Sequence, residues 1–127
     1  MKTPIWFAMA IIFSACAHDL GLMKMEEQVN AYGAAIRWNQ IKKAVDCLAV
    51  PPDRTPDWKR WKDIRVTAYR VVSRERSEGG SILTQHVEIN YLPPDSVVEK
   101  TVADVQRWRF DDDRNRWVLD SGLPHLD

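Results

Sequence analysis

The chain has 127 residues, with 18 lysines and arginines against 18 aspartates and glutamates and an apolar content of 45%. This length predicts one small domain with a modest core, and the composition is that of a folded protein, not a disordered one. A balanced charge excludes a chain-wide attraction to polyanions, so no nucleic acid partner is expected.

The opening sixteen residues, MKTPIWFAMAIIFSAC, place one cation, Lys2, before an apolar run from Ile5 to Phe13, and then Ser14, Ala15 and Cys16. A positive start, an apolar core of roughly 7 to 15 residues and a small-residue cleavage site make up a secretory signal. The run is too short to span a bilayer, which takes about 20 apolar residues. Polar His18 and Asp19 end the pattern soon afterwards. Phe13-Ser14-Ala15-Cys16 resembles the lipobox of bacterial lipoproteins, with Phe13 standing where leucine is usual. That resemblance implies a signal peptide over residues 1–15 and a Cys16 that is lipidated, freed by cleavage and acylated as the mature N-terminus. Ala17 follows where an inner-membrane retention signal would place aspartate. The implied address is therefore the outer membrane, with the domain on its periplasmic face. Ordinary signal cleavage without a lipid is the alternative. Each buried methylene of an acyl chain contributes about 0.8 kcal/mol, so two or three chains make release negligible. Residues 16–22 then read as the lipidated cysteine and a short tether, and residues 23–127 as a single domain.

From Met23 the apolar positions Met25, Val29, Tyr32 and Ile36 recur at spacings of three and four, which predicts a helix over residues 23–38. Glu26 and Glu27 near its start complement the helix dipole. A second stripe, Trp38, Ile41, Val45 and Leu48, predicts another helix over residues 40–48, with Asn39 placed to cap it, or else one kinked helix through both stripes. Cys47, near that helix's end, is expected to be a small buried hydrophobe, not a reactive thiol. Pro51-Pro52 closes the element. Thr55, Pro56 and Asp57 then open a short helix that runs to about residue 62 and sets Trp58 and Trp61 three apart.

At Ile64 the period changes to two. Ile64, Val66, Ala68 and Val72 are expected on one face of a strand, and Thr67, Tyr69 and Val71 on the other. Glu78-Gly79-Gly80 supplies a hairpin turn. The return strand, residues 81–92, groups Val87, Ile89 and Tyr91 opposite His86, Glu88 and Asn90, and Pro93-Pro94-Asp95 breaks it. In a third strand over residues 97–110, Asp104 and Gln106 share a face with Val102, Trp108 and Phe110, an inconsistency that a central bulge would resolve. A polar turn from Asp111 to Asn115 leads into a fourth strand over residues 116–120, with Trp117 and Leu119 inward, before Ser121-Gly122-Leu123-Pro124 leaves the sheet. The expected fold class is α+β, with N-terminal helices packed on a four-stranded antiparallel meander.

The helix around Tyr32-Gly33-Ala34-Ala35-Ile36, the break at Asn39, the short second helix and the meander through Gln106-Arg107-Trp108-Arg109-Phe110 to Trp117-Val118-Leu119 resemble the nuclear-transport-factor-2-like cone or its cystatin-like relatives, as found in small proteobacterial lipoproteins. The resemblance implies a cone pocket, and Tyr69, His86, Tyr91, Asp104 and Trp108 are its candidate lining residues. Asp104 could serve there as a general base if desolvation raised its pKa. Spacing ties no nucleophile, base and orienting group together, so no catalytic residue is assigned. Asp111, Asp112 and Asp113 lack the alternation of a calcium loop, and His18, His86 and His125 lack zinc spacing. No metal or cofactor is therefore expected. The five tryptophans beyond Trp6 are expected to pack in the core.

One helical layer covers one sheet face, whereas both faces carry apolar residues, so the second is expected to be filled by curvature, a pocket or another chain. The reading is of an outer-membrane-anchored periplasmic lipoprotein acting as a protein-binding or assembly component, through a protein partner or a homodimer formed on the sheet face. The alternative is a binding protein for a small hydrophobic ligand, or an isomerase- or dehydratase-like enzyme using the cone.

Overall fold

The structure is a computed structural model that describes residues 6–52, 57–77 and 79–126, with side chains from Leu20 onward. Three helices, α1 (Trp6–Arg37), α2 (Ile41–Asp46) and α3 (Trp58–Asp63), precede four strands, β1 (Arg65–Arg76), β2 (Ile82–Leu92), β3 (Lys100–Asp111) and β4 (Arg116–Leu119). The strands form one antiparallel sheet in the order β1-β2-β3-β4. This is the α+β arrangement expected, with the helices first and the meander after them.

The stripe Met25, Val29, Tyr32 and Ile36 is buried along its whole length and lays α1 across the inner face of the sheet. There Tyr32 meets Trp108 edge to face at 5.4 Å between ring centroids. Gly33, the next residue on α1, lets the helix approach Tyr69: a Cβ at position 33 would lie 2.9 Å from the tyrosine Cε1. Upstream, α1 continues back through residues 16–22 to Trp6, so the stretch read as a tether is helical, as Ala17, Leu20 and Leu22 permit. Cys16 lies in this helix, its side chain outside the described ones.

Asn39 has φ of 55° and ends α1, with the Gln40 N–H donating back to the Ala35 carbonyl at 2.7 Å. It does not cap α2, whose N-cap is Gln40 with no side-chain bond. Instead its Nδ2 donates to the carbonyls of Trp61 (2.7 Å), Lys62 (3.3 Å) and Ile64 (2.9 Å), sealing the C-terminal end of α3. At the other end of α3 the cap is Asp57, which accepts from the Arg60 N–H at 3.0 Å; Thr55 and Pro56 lie outside the described residues.

The bulge expected in β3 is absent. The β2–β3 register runs without interruption from Ile82↔Arg109 to Tyr91↔Lys100, so Asp104 and Gln106 do face inward. The irregularities fall in β1, between Val66 and Ala68 and between Val71 and Ser73. The first of them overturns the expected division of that strand's faces, because an extra residue reverses the side chains between it and the second irregularity. Tyr69 and Val71 pair with Ile89 and Val87 on the inner face, while Ala68 pairs with Asn90 on the outer one.

Beyond α2, residues 47–49 run beside β4: Ala49 N–H donates to the Leu119 carbonyl and Leu119 N–H to the Cys47 carbonyl, both at 2.8 Å. The β4 edge is thereby covered, while β1 forms the other edge. The C-terminal tail returns to the core, burying Pro124 and Leu126. Gly80 supplies the positive φ, 69°, of the β1–β2 turn, and Glu78 lies outside the described residues. Trp108 and Trp117 are buried and Trp58 and Trp61 partly so, but Trp38 is 67% exposed, against the expectation that it packs. Ending the helix at Asn39 leaves that indole beyond the rim of the sheet.

Candidate functional site

The uninterrupted alternation of β3 delivers a polar chain into the apolar interior. Gln106, fully buried, donates from Nε2 to the Tyr69 hydroxyl at 2.8 Å and to Asp104 Oδ2 at 3.2 Å. Its Oε1 accepts from Gln85 Nε2 at 3.0 Å and from the Trp108 indole at 3.2 Å. Gln85, also fully buried, accepts in turn from Arg74 Nε at 2.6 Å, which links the network to the exposed half of β1. All four polar positions of the Gln106 amide are thus engaged, the condition under which a buried amide costs little.

Burial dominates the electrostatics here. It pushes the Tyr69 phenol up to about 12, against the lowering effect of the Gln106 hydrogen bond. It also raises the Asp104 carboxyl above its ordinary range, with Gln106 and the charge of His125 pulling the other way. At neutral pH Tyr69 keeps its proton and, having accepted from Gln106, can donate it. Beside it, Asp104 holds a proton to higher pH than an ordinary aspartate. The Tyr32 hydroxyl is buried with no hydrogen-bond partner among the described residues, and burial raises its pKa well above normal.

Of the five residues singled out from the sequence, the structure gathers three, Tyr69, Asp104 and Trp108, through Gln106. His86 is exposed on the outer face between Ser73 and Val105. Tyr91 is buried on the inner face, but six residues along β2 from Gln85, or about 20 Å of strand, paired with Val66 and Lys100. The sequence reading missed Tyr32, Gln85 and Gln106 as members of the group. The signal for Gln85 was available: it lies two residues before Val87 and so on the same inward face.

Two clefts lie apart from this network, at the end of α1. One, of about 550 Å³, is lined by Arg37, Trp38, Asn39, Lys62 and Arg65 among others. The second, of about 440 Å³, includes Ile41, Lys42, Lys43 and Trp58 and shares Asn39 and Lys62 with the first. The Asp111-Asp112-Asp113 run forms a hairpin tip in which Asp111 Oδ1 accepts from the N–H groups of Asp113 (3.0 Å) and Arg114 (3.3 Å). Among the described residues, no group of three or more His, Cys, Asp or Glu side chains is arranged to hold a metal ion. No helix among them is long and apolar enough to cross a membrane. Cys47 is buried, accepts from Gln28 Nε2 at 3.3 Å and has its thiol pKa raised by burial. No protein-family model matches the chain, and no curated protein or solved structure matches it at a significant level.

Proposed function

We propose that the chain is a bacterial lipoprotein anchored in the outer membrane through Cys16, with residues 23–127 on the periplasmic side as a protein-binding or assembly component. The observation that supports a binding role is the one-sided sheet. Among the described residues, all three helices precede it in the chain, α1 buries its stripe against the inner face, and no helix covers the outer face. That outer face presents Val105, 52% exposed, with Ala103 beside it and Val72, 57% exposed, at the second bulge. Around them run a cross-strand ion pair, Arg70–Glu88 at 2.9 Å, and a hydrogen bond from Thr101 to Asn90 at 2.9 Å. A polar rim about a small apolar centre is the anatomy of a modest, reversible interface. The occupant is a protein partner or a second copy of the chain.

Photoreactive side chains placed at Val105 and at Val72 in cells test this reading. A discrete crosslinked species from both positions, with none from Lys59 on α3, is the expected result. Sedimentation of the purified protein then separates a self-dimer from a different partner. Uncrosslinked protein at both positions would overturn the binding role. An unchanged membrane pool on Cys16→Ala would overturn the anchor.

A second reading rests on the interior. Tyr69 and Asp104 form a proton donor and acceptor held by one amide, and the Tyr32 hydroxyl has no hydrogen-bond partner among the described residues. A small apolar molecule bearing a carbonyl would find there the groups for proton transfer. Displacement of a hydrophobic fluorophore that binds wild-type protein but not Tyr69→Phe would favour this reading over the first.

A further inference from the structure

We infer that the cleft at the C-terminal end of α1 binds an anionic sugar unit, with the ring on Trp38 and its phosphate or carboxylate between Arg37, Lys62 and Arg65. Three cations and one acid, Asp63, line the cleft, and none of the three cations takes part in an ion pair among the described residues. Arg37 is positioned by groups other than a counter-ion. Arg37 donates from Nη1 to the Val66 carbonyl at 2.7 Å, and its guanidinium carbon stacks 4.4 Å from the Trp38 ring centroid. Those two contacts fix the plane of the fork and leave further N–H donors for an anion. Lys62 sits on α3, which the three hydrogen bonds from Asn39 Nδ2 tie to the end of α1.

The usual objection to an anion at a helix C-terminus is its exposed carbonyls. Here the carbonyls of Ala34, Ala35 and Ile36 accept from the N–H groups of Trp38, Gln40 and Asn39, and the last carbonyls of α3 accept from Asn39. Several carbonyls at the negative ends of both helices are thereby occupied, and the three cationic side chains oppose what remains.

Size and lining give the rest of the ligand. About 550 Å³ is within the range of small-molecule sites and far more than a bare phosphate fills. Most of the lining is polar, which suits a hydroxylated body and not a hydrocarbon one. Its one aromatic group is the indole of Trp38, 67% exposed, which carries the Arg37 guanidinium on one face and can take a flat ring on the other. A molecule with one flat apolar face, a polar perimeter and a single anionic substituent is a sugar acid or sugar phosphate. The inference does not depend on the anchor or on the outer sheet face.

Calorimetric titration of the full chain with glucose 6-phosphate, glucuronate, glucose and inorganic phosphate tests it. Either sugar anion should bind at least tenfold more tightly than glucose and than inorganic phosphate. Lys62→Gln and Arg65→Gln, whose side chains make no hydrogen bond among the described residues, should each weaken that binding about tenfold without changing the melting temperature. Trp38→Ala should remove the advantage of the sugar anions over inorganic phosphate. Equal binding of all four probes, or sugar-anion binding indifferent to these substitutions, would overturn the assignment. So would capture by phosphatidylglycerol vesicles, and not by phosphatidylcholine, in a protein that ignores both sugar anions, since that pattern belongs to a lipid surface.

Discussion

Gln106 is an amide at the centre of an apolar layer, and what makes it tolerable is that four neighbours, Tyr69, Asp104, Gln85 and Trp108, bond to it. Replacing it with leucine keeps the volume roughly constant but leaves the Gln85 amide and the Trp108 indole, both fully buried, without their shared acceptor. Each orphaned buried donor costs about 1 to 3 kcal/mol. Urea denaturation of Gln106→Leu should therefore show a loss of about 3 kcal/mol, and a loss under about 1 kcal/mol would mean that the neighbours find other partners. Asp104 behaves in the opposite way. Its folded-state pKa is raised, chiefly by burial, so the folded state binds the proton more tightly than the unfolded chain does. Stability from this group is full below the ordinary carboxylate range and is lost as pH rises through the elevated folded value. Asp104→Asn keeps an oxygen for Gln106 while removing the charge. It should raise the urea midpoint at pH 7, and that gain should vanish when both proteins are measured below the ordinary carboxylate range. Asp104 was legible in the sequence because it interrupts an apolar face. Gln106 interrupts the same face, but its role was not legible, because spacing along β3 cannot report that Tyr69 and Gln85 on two other strands are waiting for it.

The elements themselves were read well where one periodicity ran unbroken. α1's stripe survives because its four apolar positions are all buried in the core, and β2's alternation survives because both of its neighbours are strands. β1 failed at Ala68, since two bulges on an edge strand leave no mark in a pattern of residue types. Trp38 failed because the sequence carried its stripe across Asn39, where the left-handed backbone turns the chain. The fit of α1 against β1 can be tested at Gly33. A methyl group there would come 2.9 Å from the Tyr69 ring, which Gln106 holds at its hydroxyl. Overpacking of this kind costs about 1 to 3 kcal/mol, against roughly 1 kcal/mol that alanine returns in helix propensity. Gly33→Ala should therefore be destabilising by about 1 kcal/mol in wild type and stabilising in a Tyr69→Leu background. A double-mutant cycle reads the difference directly, and equal effects in both backgrounds would mean that helix and ring are not in contact.

At the scale of the molecule, α1 separates the features that matter. From Cys16 to Arg37 a helix rising 1.5 Å per residue extends about 30 Å. With a lipid at Cys16, the proposed anchor and the cationic cleft stand at opposite ends of one rod. The cleft then lies about 30 Å along the helix from the anchor. This arrangement is measurable because Cys47 is buried with its pKa raised, so a thiol-reactive fluorophore will choose an exposed introduced cysteine over it. Leu20→Cys places the label four residues beyond the anchor, and Trp38→Cys places it at the far end; both native side chains are exposed, at 58% and 67%. In vesicles containing brominated lipids, the label at position 20 should be strongly quenched and the label at position 38 should not. Equal quenching would lay the molecule flat on the bilayer and bring the cleft down to the headgroups. Quenching at neither position would mean that the N-terminal end of α1 is not held at the membrane.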